Sequence, residues 1–563
     1  MDIILSQTEV WQTAVSQLLF CFFVILGLVL FWRNKKPFWF VLSVSVFSAL
    51  AYLILIYQAK VTWLGLIGDE LFITAFLQKV AAGQFFVDYF YSNLPPFYPP
   101  LYFWLAGFFG FLFHFNGIQT AHLGIALVIF ITPLLIYFGQ RYYWSKDKKK
   151  IPPWHQALPA VMIFIVADWE SIIFKPYEFI SAVLICFWAI FLLRDLDQKS
   201  LTKQKIIFYG IVGGLIALTY YFWFFQIALV IVLFKLFSKT NFKYYYSRLF
   251  IIGCLIFLVT LPFTLPFFAS YLIFGAETWQ PYFFVLADLD YYLPFFSFSV
   301  FGLVAWLGLL SFIFYWRQVE IKVLAIIFFS AYLWQVMNAV IIFFFQTPFV
   351  PAKPFMFLSG TALVLALAFG ITEVWEKLNL KSHKLKIILF FVGWTILATQ
   401  LLFGSFAIKD STRQRLVNIK KSIREEFINL IDELKKVKNI SQLKILSSGV
   451  PQISAFLPLD YYISHNIHFS HPAANFSQRY YFIETLAKSR KPLEFYQKLK
   501  QAPFEKIDAL LLLKGPDFYP VSFYLDNFPG GIEKEIRIPQ TLINEQFFDK
   551  IFEDKHFVFY KVK

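Results

Sequence analysis

Windows of about 20 residues that are almost free of charge recur through the first 400 or so positions, as in "AHLGIALVIFITPLLIYF" (121–138) and "EFISAVLICFWAIFLL" (178–193). A lipid interior offers the backbone no hydrogen-bond partner, so only helices and closed barrels can cross it. Runs this long and continuous, without alternation, are helical. Spans are expected near 14–32, 37–58, 117–139, 155–168, 177–193, 206–220, 223–237, 249–270, 295–316, 322–345, 354–372 and 386–406. The fold class is therefore a polytopic α-helical membrane protein with about 11–13 spans. Composition agrees, since 59% of residues are hydrophobic and only 15% charged, where a soluble domain carries about 25% charge.

Lysine and arginine orient the spans. The segments 33–36, 141–150, 194–205, 235–248, 317–322 and 377–386 hold about 22 basic residues, and 1–13, 59–116, 169–176, 271–294 and 346–353 hold about 4. The first set is expected on the cytoplasmic side. This clustering accounts for the net charge of +15, so no nucleic-acid partner is inferred. If "PPLYFWLAGFFGFLF" (99–113) crossed, every later loop would invert, so it is expected to lie in or along the outer leaflet as an interfacial or re-entrant helix. The N-terminus lacks a basic leader and cleavage site and reads as a retained span. Cys21, Cys186 and Cys254 fall inside apolar runs and read as small hydrophobes.

Residues 407–563 have a different character from the membrane domain, 1–406. They are charged, with an amphipathic helical stretch "STRQRLVNIKKSIREEFINLIDELKKV" and strand-like runs "LKILSS", "DALLLL", "EIRI" and "HFVFYKV". One soluble α/β domain on the outer face is expected, with the boundary at 406/407.

The outer loop 59–116 holds the chemistry. Asp69 and Glu70 stand where an apolar segment ends, and a carboxylate at a membrane boundary must be solvated or paired. Neighbours on a helix point apart, which argues against a shared-proton dyad. One of them could face a cavity while the other caps the helix that follows, and capping alone would also suit both. After them "NLPPFYPPLYFW" (93–104) stiffens the chain and presents aromatic faces. That makes Asn93, Tyr98, Tyr102 and Trp104 candidates for a sugar-binding wall.

The run "DELFITAFL" followed by "NLPPFYPPLYFW" resembles the galactan 5-O-arabinofuranosyltransferase family of the GT-C membrane glycosyltransferases. So do "HFSHPAANFSQRYYFIETLAK", "FEKIDALLLLKG" and "YLDNFPGGI" near the other end of the chain. The pattern departs at Leu101, where the family run has Gly. The resemblance implies a GT-C-like catalytic membrane domain. It implies inverting transfer of a sugar, arabinofuranose first, from a polyprenyl-phosphate donor to a cell-envelope glycan outside the bacterial cytoplasmic membrane. Asp69 matches the acidic motif position and is expected to be the general base, with Glu70 in a supporting or metal-binding role.

A leaving phosphate needs cations. Lys175 and Lys353 each stand alone in an aromatic-proline setting at an outer span end and are expected to contact it, though either could snorkel to lipid headgroups. Lys60 and Lys79 are weaker candidates. Tyr177 and Glu178 beside Lys175 are expected to shape the substrate site, and Glu178 or Asp168 could bind a cation. No cofactor is called for and no metal ligand set is assigned, with a divalent cation left open. His465, His468 and His471 admit a metal site but read better as surface or substrate-facing groups. "YYFWFF" (220–225) reads as lipid-facing or interfacial packing, and "ADLDYY" (287–292) as a solvated outer loop that could help bind acceptor. Two alternatives stand beside arabinofuranosyl transfer. One is a GT-C transferase of another sugar, mannose-like or aminoarabinose. The other is a lipid-linked-sugar transporter, which would need ionisable residues deep in its spans and paired repeats.

Overall fold

The computed structural model describes residues 5–33, 36–146, 157, 159–160, 163, 169–277, 281–289, 293–298, 300–352, 355–377, 410–420 and 425–563. The expected domain boundary and the expected span 386–406 lie outside the described residues, as does most of 155–168.

Five described helices are long and apolar enough to cross a membrane: Pro37–Leu55, Gly117–Tyr142, Pro176–Asp197, Phe242–Phe274 and Val319–Phe345. Each coincides with an expected span, and the chain is a multi-pass membrane protein. The helix Pro176–Asp197 is the most enclosed of them. It packs against Gly117–Lys146, Lys203–Tyr220, Val319–Phe345 and Phe355–Lys377. Its polar side chains, Glu178 and Asp195, are therefore inside the protein.

Two short helices sit between the second and third expected spans: α3 (Asp69–Ala81) and α4 (Leu101–Phe113), where α1 is Gln7–Trp32 and α2 Pro37–Leu55. Thirteen residues rise only about 20 Å, short of the ~30 Å hydrocarbon core. Neither helix can span, as expected for 99–113. One face of α4 exposes Leu105, Phe108, Phe109, Leu112 and Phe113. The other packs on α3 so closely that a Cβ at Gly107 would lie 2.4 Å from Val80 Cγ1.

The C-terminal domain is built on a five-stranded sheet ordered β2-β1-β3-β7-β6 (β1 Lys444–Ser447, β2 Asp460–Tyr461, β3 Ala509–Leu513, β6 Phe548–Glu553, β7 Phe557–Val562). The pairs β1–β2 and β1–β3 are parallel, and β3–β7 and β6–β7 antiparallel. Its central strand β3, "ALLLL", is buried on both faces, which is why it reads as a continuous apolar run. A separate hairpin, β4 (Phe518–Asn527) with β5 (Gly530–Pro539), projects from this sheet.

Two loops are among the segments that fasten the domain to the membrane region. From residues 88–94, Tyr89 Oη donates to the Phe469 carbonyl at 2.7 Å and Ser92 N to Asp460 Oδ1 at 2.8 Å, while Phe90 O accepts from Tyr461 N at 2.9 Å. From the end of the Phe242–Phe274 helix, Glu277 N donates to the Pro472 carbonyl at 3.0 Å, and the Phe274 carbonyl accepts from Asn475 Nδ2 at 3.1 Å.

Candidate functional site

Gly68 enters α3 with φ +55°, a conformation that glycine adopts freely and other residues rarely do. The turn delivers Asp69 and Glu70 to the first helical positions, where the positive end of the helix favours carboxylates. The two then part, as adjacent helical residues must. Asp69 lies on the wall of a cavity of about 390 Å³, and Glu70 does not. Glu70 is enclosed and accepts the Leu64 backbone N–H; burial pushes its carboxyl well above the ordinary range.

Lys175 joins Asp69 from a distant part of the chain. It caps the N-terminus of the Pro176–Asp197 helix, whose first position is a proline with no N–H to satisfy. Lys175 Nζ lies 3.0 Å from Asp69 Oδ2 and 3.2 Å from Glu178 Oε1. Burial works against the charge on Lys175, but the two carboxylates outweigh it and hold its pKa above the usual lysine value. An ammonium has three donors, so two carboxylates leave it one for a further anion.

Behind this triad stands an aromatic cluster. Tyr98 stacks on Phe72 with ring centroids 4.3 Å apart, and Tyr177 contacts Tyr98, Tyr102 and Phe103 at 6.4, 5.9 and 5.5 Å. Tyr220 extends the cluster, with its centroid 5.7 Å from that of Tyr177. Here the reading of "YYFWFF" as lipid-facing or interfacial needs correction. Tyr220, Phe222 and Trp223 are buried, and Trp223 Nε1 donates to Ser181 Oγ at 2.8 Å, because helix Trp223–Lys235 turns this end inward. Only Phe225 of the run is markedly exposed.

The other expected wall residues separate. Asn93 is exposed on the 88–94 loop. Trp104 turns away to donate from Nε1 to the Phe85 carbonyl at 2.6 Å and pairs edge-on with Phe86. Lys79 is fully buried, and Lys60 joins Ile419 through its backbone N–H at 2.8 Å. Lys353, Asp168 and residues 290–292 lie outside the described residues.

The outer side of the cavity is built by the C-terminal domain and the 281–284 turn: Phe283, Gln452, His465, His468, Tyr524 and Glu533 face Asp69 across it. Among the described residues no three His, Cys, Asp or Glu side chains converge as a metal site would require. The three histidines diverge: His465 and His468 line the cavity, while His471 packs on Phe97 and Phe267. Burial pushes the pKa values of His465 and His468 down to about 4. Residues of β4 and β5 were missed as site residues because no strand was expected at 518–527 and only 535–538 of β5 was read as one. The signal was present in "YPVSFYLDNFPGGIEKEIRI", where Tyr519, Val521 and Phe523 alternate inward before a Pro-Gly-Gly turn.

Residues 6–396 match the protein family described as "Arabinofuranosyltransferase N terminal". No curated protein matches the sequence. Among solved structures, a cryo-EM structure of arabinofuranosyltransferase AftD from mycobacteria is similar at TM-score 0.45 and 11% identity, covering 84% of this chain and 37% of that one. The chain thus spans well under half the length of that protein. An apo oligosaccharyltransferase of Archaeoglobus fulgidus is similar at TM-score 0.46 and 13% identity, over 85% of this chain and 70% of that one. A structure of the oligosaccharyltransferase AglB from the same organism, with an inhibitory peptide and a dolichol-phosphate, gives 0.46 and 13%, over 90% and 77%.

Proposed function

This chain belongs to the arabinofuranosyltransferase family, and on that premise we propose that it moves a sugar, arabinofuranose first, from a polyprenyl-phosphate donor to a cell-envelope glycan. The membrane is the bacterial cytoplasmic membrane, with the site and the C-terminal domain on its extracytoplasmic face. The excess of Lys and Arg in the segments assigned to the opposite face supports that orientation.

The observation that carries the reading is the Lys175 bridge between Asp69 and Glu178 at the edge of the cavity. Asp69 acts as the base. It takes the proton of the acceptor hydroxyl while that oxygen bonds to the anomeric carbon. On the opposite face the bond from the anomeric carbon to the phosphate oxygen breaks, the phosphate leaves with the electron pair, and the centre inverts. Lys175 stabilises the charge developing on the departing phosphate with the donor that its two carboxylates leave over. Glu178, which is almost fully enclosed, aims Lys175. Lys353 is retained as a second phosphate contact. Tyr98, Tyr102 and Tyr177 form the wall behind the donor sugar, and Glu70 supports the turn that carries Asp69.

The test is transfer by the purified chain from a panel of synthetic polyprenyl-phosphoryl sugars. Arabinofuranose should be transferred with inversion, and Asp69→Asn should lower the rate by roughly 10²–10⁴-fold while donor binding persists. An Asp69→Asn protein of full activity would remove the base. Preference for a mannosyl donor would keep the mechanism and change the sugar.

A further inference from the structure

The cavity beside Asp69 has two unlike sides. Where Asp69 meets Lys175 and Glu178, a cation is held ready. The residues lining the cavity itself include two carboxylates, Asp69 and Glu533, and neither lysine nor arginine. The family match ends at residue 396, so it says nothing of the wall that faces Asp69 from beyond that point.

That wall is firmly built. Tyr524 N donates to the His465 carbonyl at 2.8 Å, and Asn466 bridges to Tyr524, so the histidine loop is fastened to the β4–β5 hairpin. Phe283, from the membrane region, stacks flat on His468 with centroids 4.1 Å apart and meets Tyr524 edge-on at 5.9 Å. His468 Nδ1 is enclosed and has no hydrogen-bond partner among the described residues. Tyr524 and Glu533 stand opposite one another on the hairpin, a ring beside a carboxylate. Rings that offer a flat face, a free imidazole nitrogen, and the polar groups of Gln452, Asn466 and Ser522 suit a molecule with apolar faces and many hydroxyls. At about 390 Å³ the space falls within the range of roughly 300–1,000 Å³ usual for small-molecule sites.

We propose that the C-terminal domain supplies the acceptor subsite through His468, Tyr524 and Glu533, and that Glu533 together with Asp69 turns away an acceptor end that carries a phosphate or sulfate. This rests on the glycosyl-transfer reading above and extends it to the acceptor. Sugar hydroxyls donate to the Glu533 carboxylate in a charge-assisted bond. An anionic acceptor would instead meet two carboxylates with no cation lining the space. The cation at Lys175 is left to the donor phosphate, so the two substrates are sorted by charge on either side of one base.

The experiment uses the full chain, in nanodiscs and without donor, titrated with a neutral galactan tetrasaccharide and with the same tetrasaccharide bearing a terminal sulfate ester. The neutral probe should bind, and the sulfated one should bind at least tenfold more weakly. His468→Ala or Glu533→Gln should weaken the neutral probe at least fivefold, and Glu533→Lys should erase the penalty on the sulfated one. Glu533 is exposed on its strand, so its variants answer even where His468→Ala does not fold. Absence of neutral binding, equal binding of both probes, or neutral binding untouched in both Glu533→Gln and Glu533→Lys would overturn the proposal. Because no donor is present, failure of pentose transfer in the separate turnover assay bears on the reaction and not on these titrations.

Discussion

Asp69, Lys175 and Glu178 form one charged unit from two stretches far apart in sequence, and each depends on the others. The Glu178 side chain is only 3% exposed, so removing the lysine leaves a carboxylate enclosed without its cation. Lys175→Ala should therefore raise the donor KM and lower kcat/KM by about 10² or more, because it takes away both the phosphate contact and the partner of Asp69. Lys175→Arg should recover part of this, since it keeps the charge but carries a flat fork in place of a compact ammonium. Steady-state kinetics with donor and acceptor varied separately check it. A rise in acceptor KM alone would point away from phosphate binding. At this scale the sequence was half legible. Lys175 stood out as a cation against the topological trend with Glu178 beside it in sequence, but only folding shows that it meets Asp69.

The helices α3 and α4 show how much an element can demand of a single position. Gly107 is the point of closest approach, where a Cβ would fall 2.4 Å from Val80 Cγ1 and 2.5 Å from its Cβ. Gly107→Ala must push α4 off α3 and shift the helix that begins at Asp69. Overpacking of this kind costs about 1–3 kcal/mol. Its thermal midpoint should fall and its transfer rate with it, and Val80→Ala in the same chain should restore only part of both, since it removes the Cγ1 contact but keeps the Cβ at 2.5 Å. Elements of this kind were easy to read from sequence wherever a single rule governed them. Charge-free length gave the five long apolar helices, and the basic loops kept 99–113 from being taken as another span. Of the hairpin β4–β5 only "EIRI" (535–538) was read as a strand; β4 was not, although its inward alternation was present, because its outer face is mixed and it contains Pro520. That hairpin carries Tyr524 and Glu533, so the unread part is also the unread wall of the cavity.

In the whole molecule, the site exists only while two domains stay joined, and the joint has a pH limit. His471 is fully enclosed between Phe97, Phe267 and Tyr271, and burial pushes its pKa down to about 3. An unfolded imidazole titrates near ~6.5. Below that pH the unfolded chain takes up a proton that the folded chain refuses, so stability is full above ~6.5 and falls as pH drops towards about 3. The loss is about 1.4 kcal/mol per pH unit for one such group. The unfolding midpoint measured from pH 7 to pH 4.5 should fall less steeply in His471→Gln than in the parent.

Asp460 carries the other half of the joint. Its carboxylate accepts the Ser92 backbone N–H at 2.8 Å and the Ser92 hydroxyl, and it pairs with Lys444 Nζ at 2.7 Å. Lys444 in turn meets Glu505, which holds Arg479 at 3.1 Å, and the Arg479 guanidinium lies 5.5 Å from the Tyr91 ring centre. On the membrane side, Asp88 Oδ1 accepts the N–H groups of Phe90 and Tyr91 at 2.9 and 3.1 Å, which folds the turn that presents Tyr89, Tyr91 and Ser92. Asp460→Ala leaves Lys444 buried with one carboxylate fewer and takes the partner from Ser92. Breaking a buried pair from one side costs about 3–5 kcal/mol. Hydrogen exchange should then quicken together in 88–94 and 460–470, because each segment satisfies the other's backbone groups. Donor binding at Lys175 should persist while transfer is lost, since Lys175, Asp69 and Glu178 belong to the membrane region but the facing wall does not. Faster exchange confined to 460–470, with transfer intact, would mean that the cavity keeps its shape without this joint.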